Sequence, residues 1–417
     1  FHAAAYNGFS PEVQVGLKGW QATMDSTQGC GEVRIPIDHP VLATVQFGKF
    51  DKRIVYIEPG KELDIVYNCE RNKNSFTVEG ELKAENDFIL TPGFYLPLKM
   101  PSPKESLAIS MQYADSIMNI NRLRLEETAF SEEFKRLQRA QLKLRTGEWL
   151  NRIFFVTDTA NYIRTMQAYM PQEAEWMEIP GYCDYMKYAV RRLGRLMYNG
   201  KDGDREVNSI RYIQEYITAP EVKAYLLDLN ILPYLSLTGI EGNEEYVEIY
   251  RRYITDSVCL SKLDKVIDVY QKTAAGAVCP DFCLKDIEGK DVCLADFVGK
   301  YVYIDLWATW CGPCKGEMPS LALLEEELAG KDIVFVSISV DRNKDIDLWK
   351  KTVADMKLKG VQLHLGENWD WVKHFMPNGL SVPRFILLDR EGKIIDANMS
   401  RPSDKETIRK MKEILKK

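Results

Sequence analysis

Two cysteines, Cys311 and Cys314, stand two residues apart in the run Trp310-Cys311-Gly312-Pro313-Cys314. The residues before them, Tyr301-Val302-Tyr303-Ile304-Asp305-Leu306, form an apolar strand-like run, and residues 313–328 read as a helix. The pair therefore lies where a buried strand ends and a helix begins. Disulfide exchange needs a thiolate and a second thiol within reach. A cysteine at a helix N-terminus meets unpaired backbone N–H groups and the positive end of the helix dipole, and both favour the thiolate. Cys311 is thus the expected nucleophile. Cys314 falls about one helical turn further on, placed to attack a mixed disulfide on Cys311. Pro313 is tolerated in the first turn, where its missing N–H would be unpaired in any case.

The flanking elements make a domain for this motif. From about residue 275 strands and helices alternate. Ile333-Val334-Phe335-Val336-Ser337-Ile338 is a second buried strand, and residues 345–356 a helix with Leu348, Thr352 and Met356 along one side. Residues 361–365 read as a short strand and 369–375 as a short helix. Residues 384–388 and 393–397 form a hairpin around Arg390-Glu391-Gly392. Ser403 with Glu406 makes a capping box that opens a last helix, with Ile408, Met411 and Leu415 inward. This order predicts a mixed α/β sheet with helices on both faces.

The segment resembles the thioredoxin superfamily and, within it, the envelope-located TlpA/ResA-type disulfide reductases. The resemblance covers residues 275–417, about a third of the chain. It rests on Pro280-Asp281-Phe282, Gly289-Lys290, Phe297-Val298-Gly299-Lys300, Leu306-Trp307-Ala308-Thr309-Trp310-Cys311, Glu317-Met318-Pro319, Val382-Pro383-Arg384-Phe385-Ile386-Leu387-Leu388-Asp389 and Gly392-Lys393-Ile394, in that order. It implies a thiol-disulfide oxidoreductase acting through a redox-active Cys311–Cys314 disulfide. Pro383 matches the family's cis-proline beside the dithiol, and the Val382 backbone then offers strand-like hydrogen bonds to a substrate. Trp310, Gly312 and Pro313 complete the implied substrate surface. Glu317 matches an acid beside the dithiol in the ResA type. Asp305 stands where thioredoxins carry a buried acid. A buried carboxylate near Cys314 would take its proton and release the resolving thiolate. Arg384 departs from the family pattern, and a cation there would lower the thiolate pKa or alter substrate choice.

Other uses of these cysteines fit less well. Peroxiredoxins place Pro and Thr or Ser seven and three residues before the reactive cysteine, where this chain has Ile304 and Ala308. A zinc site drawing on Cys279, Cys283 and Cys293 is opposed by the proline inside the pair and by the Pro383 segment. Cys283 and Cys293 flank a turn near Glu288-Gly289. Phe282, Leu284, Val292 and Leu294 would face inward, so both cysteines would share the outer face, as a disulfide or as two free thiols. Cys30, Cys69, Cys183 and Cys259 read as buried small hydrophobes. His2, His39, His364 and His374 show no ligand spacing.

The remainder of the chain is read more coarsely. Its 417 residues predict several units. We expect a multidomain protein: a β-rich, sandwich-like domain over 1–104, an all-helical domain or linker over 105–272, and the thioredoxin-like domain over 273–417. The strand-like runs are Val41 to Phe47, Arg53 to Ile57 and Glu62 to Tyr67. Pro92 and the prolines from Pro97 to Pro103 mark the exit linker. Ser131 is the expected cap of a helix, and Tyr246, Ile249, Tyr250, Tyr253 and Ile254 follow helical spacing, as do Leu263, Val266, Ile267 and Tyr270. A net charge of −6 argues against a nucleic-acid partner. No run of about 18 apolar residues marks a membrane span. The chain starts at Phe1 rather than Met, so a signal peptide, a lipid anchor, a tag or a disordered lead would precede it. The expected partners are a protein disulfide substrate and an upstream protein electron donor, with no cofactor and no metal. The expected location, from the resemblance, is the periplasm or cell envelope. An alternative makes the first 270 residues the main functional surface, a partner-binding module to which the redox domain is tethered for delivery or sensing.

Overall fold

The computed structural model describes residues 2–3, 10–25, 30–47, 51–70, 73–91, 107–152, 156, 158–198, 205–376 and 379–416. The proline-rich linker lies outside them. The chain divides into two compact units, Phe1–Leu227 and Asp228–Lys417. The helices Glu244–Tyr253 and Ser257–Lys272, expected to belong with a separate helical domain, fall in the same unit as the C-terminal sheet.

In the first unit two sheets share a core. One is four-stranded and antiparallel, in the order Lys18–Gln21, Glu12–Val15, Val41–Phe47, Asp51–Ile57. The other is five-stranded and is built on the long hairpin Leu63–Glu70 with Lys73–Gly80. Val13, Ala43, Val45 and Val55 from the first pack with Ile65 and Val78 from the second, which is the sandwich arrangement expected of alternating strands. A helix, Lys83–Leu90, closes this β region, and long helices follow. Ser131 caps Glu132–Leu150, its hydroxyl accepting from Phe134 N–H at 3.2 Å.

The second unit carries a seven-stranded mixed sheet. Its strands are β1 (Cys283–Asp286), β2 (Asp291–Cys293), β3 (Tyr301–Trp307), β4 (Ile333–Ser339), β5 (Val361–His364), β6 (Arg384–Leu388) and β7 (Ile394–Asp396). Their spatial order is β2-β1-β5-β4-β3-β6-β7. β3, β4 and β5 run parallel, and the outer strands antiparallel. The central strands are buried on both faces, which is why they read as continuous apolar runs. Val302, Ile304 and Leu306 of β3 enter one core layer with Trp349, Trp371 and Phe375. Tyr303 enters the other, with Leu321, Leu324, Phe385 and Met411.

Three local expectations are corrected. In the helix Ile346–Asp355 the buried side carries Trp349 and Val353, while Leu348 and Met356 are exposed. Both stripes have helical spacing, and the large indole takes the core. The last helix, Lys405–Ile414, is capped by Asp404, whose carboxylate accepts from Glu406 N–H at 3.0 Å. Ser403 is engaged elsewhere. Cys30, Cys183 and Cys259 are half-buried rather than buried, and Cys279 is the buried free thiol.

The β1–β2 register sets Cys283 directly opposite Cys293, with Cα atoms 4.0 Å apart, and the two are disulfide-bonded. Leu284 of β1 and Leu294, just past β2, are buried. A non-reducing digest is expected to release the Cys283 and Cys293 peptides cross-linked, and Cys283→Ala to free Cys293 for alkylation. Alkylation of both residues in the unreduced parent protein would contradict the pairing.

Candidate active site

β3 delivers its last residues into a tight turn, in which Cys311 N–H donates to Ala308 O at 3.0 Å. Cys311 is the N-cap of the helix Gly312–Glu327, and Pro313 sits in its first turn. The Cys314 backbone N–H donates to Cys311 Sγ at 3.1 Å. This is the expected arrangement: an orphan donor of the helix end aimed at the sulfur that would carry negative charge. Cys311 and Cys314 form a disulfide. Their side chains are nearly buried, whereas Gly312 and Pro313 are exposed and Trp310 is 61% exposed. Val382 O lies 3.7 Å from Cys311 Sγ, and the Val382–Pro383 peptide bond is cis. The structure thus brings Trp310, Cys311, Gly312, Pro313, Cys314, Val382 and Pro383 together.

The turn is held by a group that sequence reasoning did not single out. Asp341, fully buried just past β4, accepts from Thr309 N–H at 3.0 Å and from Thr309 Oγ1 at 2.8 Å. Ser339 Oγ donates to the same carboxylate at 2.7 Å and accepts from Asp341 N–H. Hydrogen bonds to a buried charge are stronger than neutral ones. They fix the residues two positions before the nucleophile.

The two acids occupy one face of the sheet. Asp305 alternates with Tyr303 on β3 and so points to the layer under the helix Gly312–Glu327. It is buried, and burial first, then the charges of Glu317 and Glu325, push its pKa up to about 7. Glu317 is three residues after Cys314 on that helix, on the same side, and is also buried. Its carboxylate accepts from Ser403 N–H and Ser403 Oγ, both at 3.0 Å, with Arg401 Nη1 at 3.6 Å. Arg384 is buried and donates to Ala397 O at 2.9 Å and Ser236 O at 3.2 Å. Its donors thus serve carbonyl oxygens, where the sequence had suggested a cation acting on the thiolate. His364 is a packed residue: its Nδ1 accepts from Gly366 N–H, its ring lies against Trp349, and burial lowers its pKa.

A mixed sheet of this order with a helix-capped Cys-x-x-Cys defines a thioredoxin-like dithiol domain. The AhpC/TSA family model matches residues 275–397. The thiol-disulfide oxidoreductase ResA of Bacillus thuringiensis subsp. konkukian is 31% identical over 125 residues, 30% of this chain and 69% of that protein. The thioredoxin-like protein YneN of Bacillus subtilis is 31% identical over 139 residues, 33% of this chain and 78% of that protein. A solution structure assigned to a thiol-disulfide oxidoreductase of Bacteroides vulgatus is 52% identical, covering 34% of this chain and 91% of that one, with a TM-score of 0.31. The chain belongs to the thioredoxin-like thiol-disulfide oxidoreductase family, through its C-terminal third.

Two outcomes follow from these buried carboxylates. Asp341→Asn removes the charge that holds Thr309, and urea denaturation is expected to show a loss of about 1.5–3 kcal/mol. An unchanged midpoint would show that the clamp contributes nothing. For Asp305 the folded pKa lies above the unfolded one. Between about pH 4 and 7 the unfolded chain releases the proton first, so this residue's contribution to stability falls as pH rises. Asp305→Asn is therefore expected to gain on the parent protein across that window, by about 4 kcal/mol at most, and to hold a constant difference above it. Parallel stability–pH curves would refute the elevated pKa.

Proposed function

We propose that residues 273–417 reduce protein disulfides by dithiol exchange, with Cys311 attacking and Cys314 resolving. The carrying observation is the Cys314 N–H aimed at Cys311 Sγ beside the Val382 carbonyl. The Cys311 thiolate attacks a substrate disulfide, forming a mixed disulfide and expelling one substrate thiolate. Cys314, deprotonated, attacks Cys311 Sγ and expels the second. Two electrons pass to the substrate, and the enzyme is left in the disulfide form seen here. Regeneration requires an upstream dithiol protein as donor.

Asp305 is the proposed proton acceptor for Cys314, since a carboxyl with a pKa of about 7 is matched to proton transfer near neutrality. Glu317, anchored by Ser403, holds negative charge near Asp305 and so keeps that pKa high. Trp310, Gly312 and Pro313 form the exposed surface on which a substrate strand docks, pairing with the Val382 backbone. The family's TlpA/ResA members support an envelope location.

For the rest of the chain we propose a β-rich domain over 1–104 and a helical region over 105–272, whose last part, from Asp228, lies in the compact unit of the C-terminal sheet. A targeting role for these 272 residues is the second reading, because the matched relatives account for only about a third of the chain.

Cys311→Ser is expected to reduce insulin disulfide reduction to background, whereas Cys314→Ser should accumulate a mixed disulfide visible on non-reducing gels. Asp305→Asn should slow resolution by about 100-fold near neutral pH. Full activity of Cys311→Ser would overturn the assignment. An equilibrium potential near about −270 mV marks a reductant, and one near about −120 mV an oxidant.

A further inference from the structure

The first unit holds a cleft of about 580 Å³ whose walls are unusually basic. It is lined by Arg152, Arg191, Arg192, Arg195 and Arg205, against the carboxylates of Glu148 and Asp184, five cations to two anions. The chain as a whole carries net charge −6, so this local excess of three positive charges runs against the sign of the molecule.

Three elements build the cleft. Along the helix Tyr182–Met197, residues 184, 188, 191, 192 and 195 recur at helical spacing and form one stripe, while Tyr185, Met186, Ala189 and Leu193 are buried. Arg152 follows the end of the helix Glu132–Leu150, and Arg205 opens the helix Arg205–Tyr216. The helices Tyr182–Met197 and Arg205–Tyr216 approach closely at Gly194, where a Cβ would lie 2.5 Å from Asn208 O. The crossing brings the start of one helix to the arginine stripe of the other.

Most of these cations have no internal job. Arg192 has one: it donates to Asn151 O and lies over the Tyr162 ring at 4.7 Å. Glu148 is engaged by Arg145 at 2.7 Å. Arg152, Arg191, Arg195 and Arg205 have no ion pair among the described residues, and Arg191 Nε is buried without a hydrogen-bond partner. Elsewhere arginines are matched with carboxylates: Arg136 with Glu133, Arg139 with Glu126, Arg251 with Asp264 and Arg409 with Glu406. Burial and the neighbouring charge of Arg195 press on Arg192, lowering its pKa. Like charges gathered in a concave site repel one another, and a bound anion relieves that cost.

We propose that this cleft binds a phosphate-bearing anion, its phosphoryl oxygens taken by Arg191, Arg195 and Arg205 and its organic part lying against the exposed ring of Tyr188. The guanidinium fork suits tetrahedral oxyanions and offers paired donors to them. The cleft has room beyond one phosphoryl group, which is why a phosphate ester, free or as a lipid headgroup, fits better than inorganic phosphate.

The test uses the full chain. Calorimetry with inorganic pyrophosphate and with glycerol 3-phosphate at low salt reads the free ligand, and co-sedimentation with phosphatidylglycerol against phosphatidylcholine vesicles reads the headgroup. Binding in either arm is expected, weakened at least about ten-fold in Arg195→Gln/Arg205→Gln and unchanged in the control Lys265→Gln, which does not line the cleft. Both substituted arginines are exposed, and Arg152→Gln serves as a single exposed variant if the double one melts early by circular dichroism. Insulin reduction should be the same in all of these variants, which separates this site from the dithiol. Absence of binding to every probe at about 10 mM, or equal binding by parent and arginine variants, overturns the proposal.

Discussion

The geometry of the candidate site turns on one backbone donor. At the start of the helix Gly312–Glu327 the Cys314 N–H has no carbonyl one turn back to receive it, and it meets Cys311 Sγ instead. Everything around serves to keep that meeting in place. β3, buried between β4 and β6, fixes where the turn starts. Asp341 fixes its middle through Thr309, and Val382 stands on the other side of the sulfur. A sulfur held at a helix start is favoured in its charged form by the helix end itself.

The acids show how burial is put to use. A carboxyl removed from water and set near Glu317 and Glu325 keeps its proton to about neutral pH. Glu317 tolerates its own burial because a serine and an arginine surround it with donors. The sheet face thus holds one carboxylate satisfied by hydrogen bonds and one that is not settled in the same way. Of the two, burial and the neighbouring negative charges hold the proton on Asp305.

The C-terminal sheet was legible because its central strands are continuous apolar runs, each followed by a turn and a helix. The dithiol, Pro383 and the two acids were legible because their spacing is local or matches a family pattern. The Asp341–Thr309 clamp was not, since its partners are separated by 32 residues and an Asp after a strand has no local signature. The cap at Asp404 was missed for the same reason: Ser403 has the right spacing to Glu406, but Glu317 from another helix takes its donors. The choice between the Leu348 and Trp349 stripes required knowing how much volume the core had to fill. In the N-terminal sandwich three strand runs were readable, but Glu12–Val15, Lys18–Gln21 and Lys73–Gly80 were not, and the pairing of His2–Ala3 beside Leu63–Glu70 follows from contacts across most of the domain.

The contact between Glu317 and Ser403 spans 86 residues. A polypeptide is made from its N-terminus, so Cys311 and Cys314 emerge well before the serine that donates to the neighbouring acid. The dithiol can therefore be oxidised or reduced on a nascent chain whose acid has not yet found its donors. Only when the segment carrying Ser403 has been made and docked does the full set of groups exist at once, so the candidate site is completed later than its dithiol.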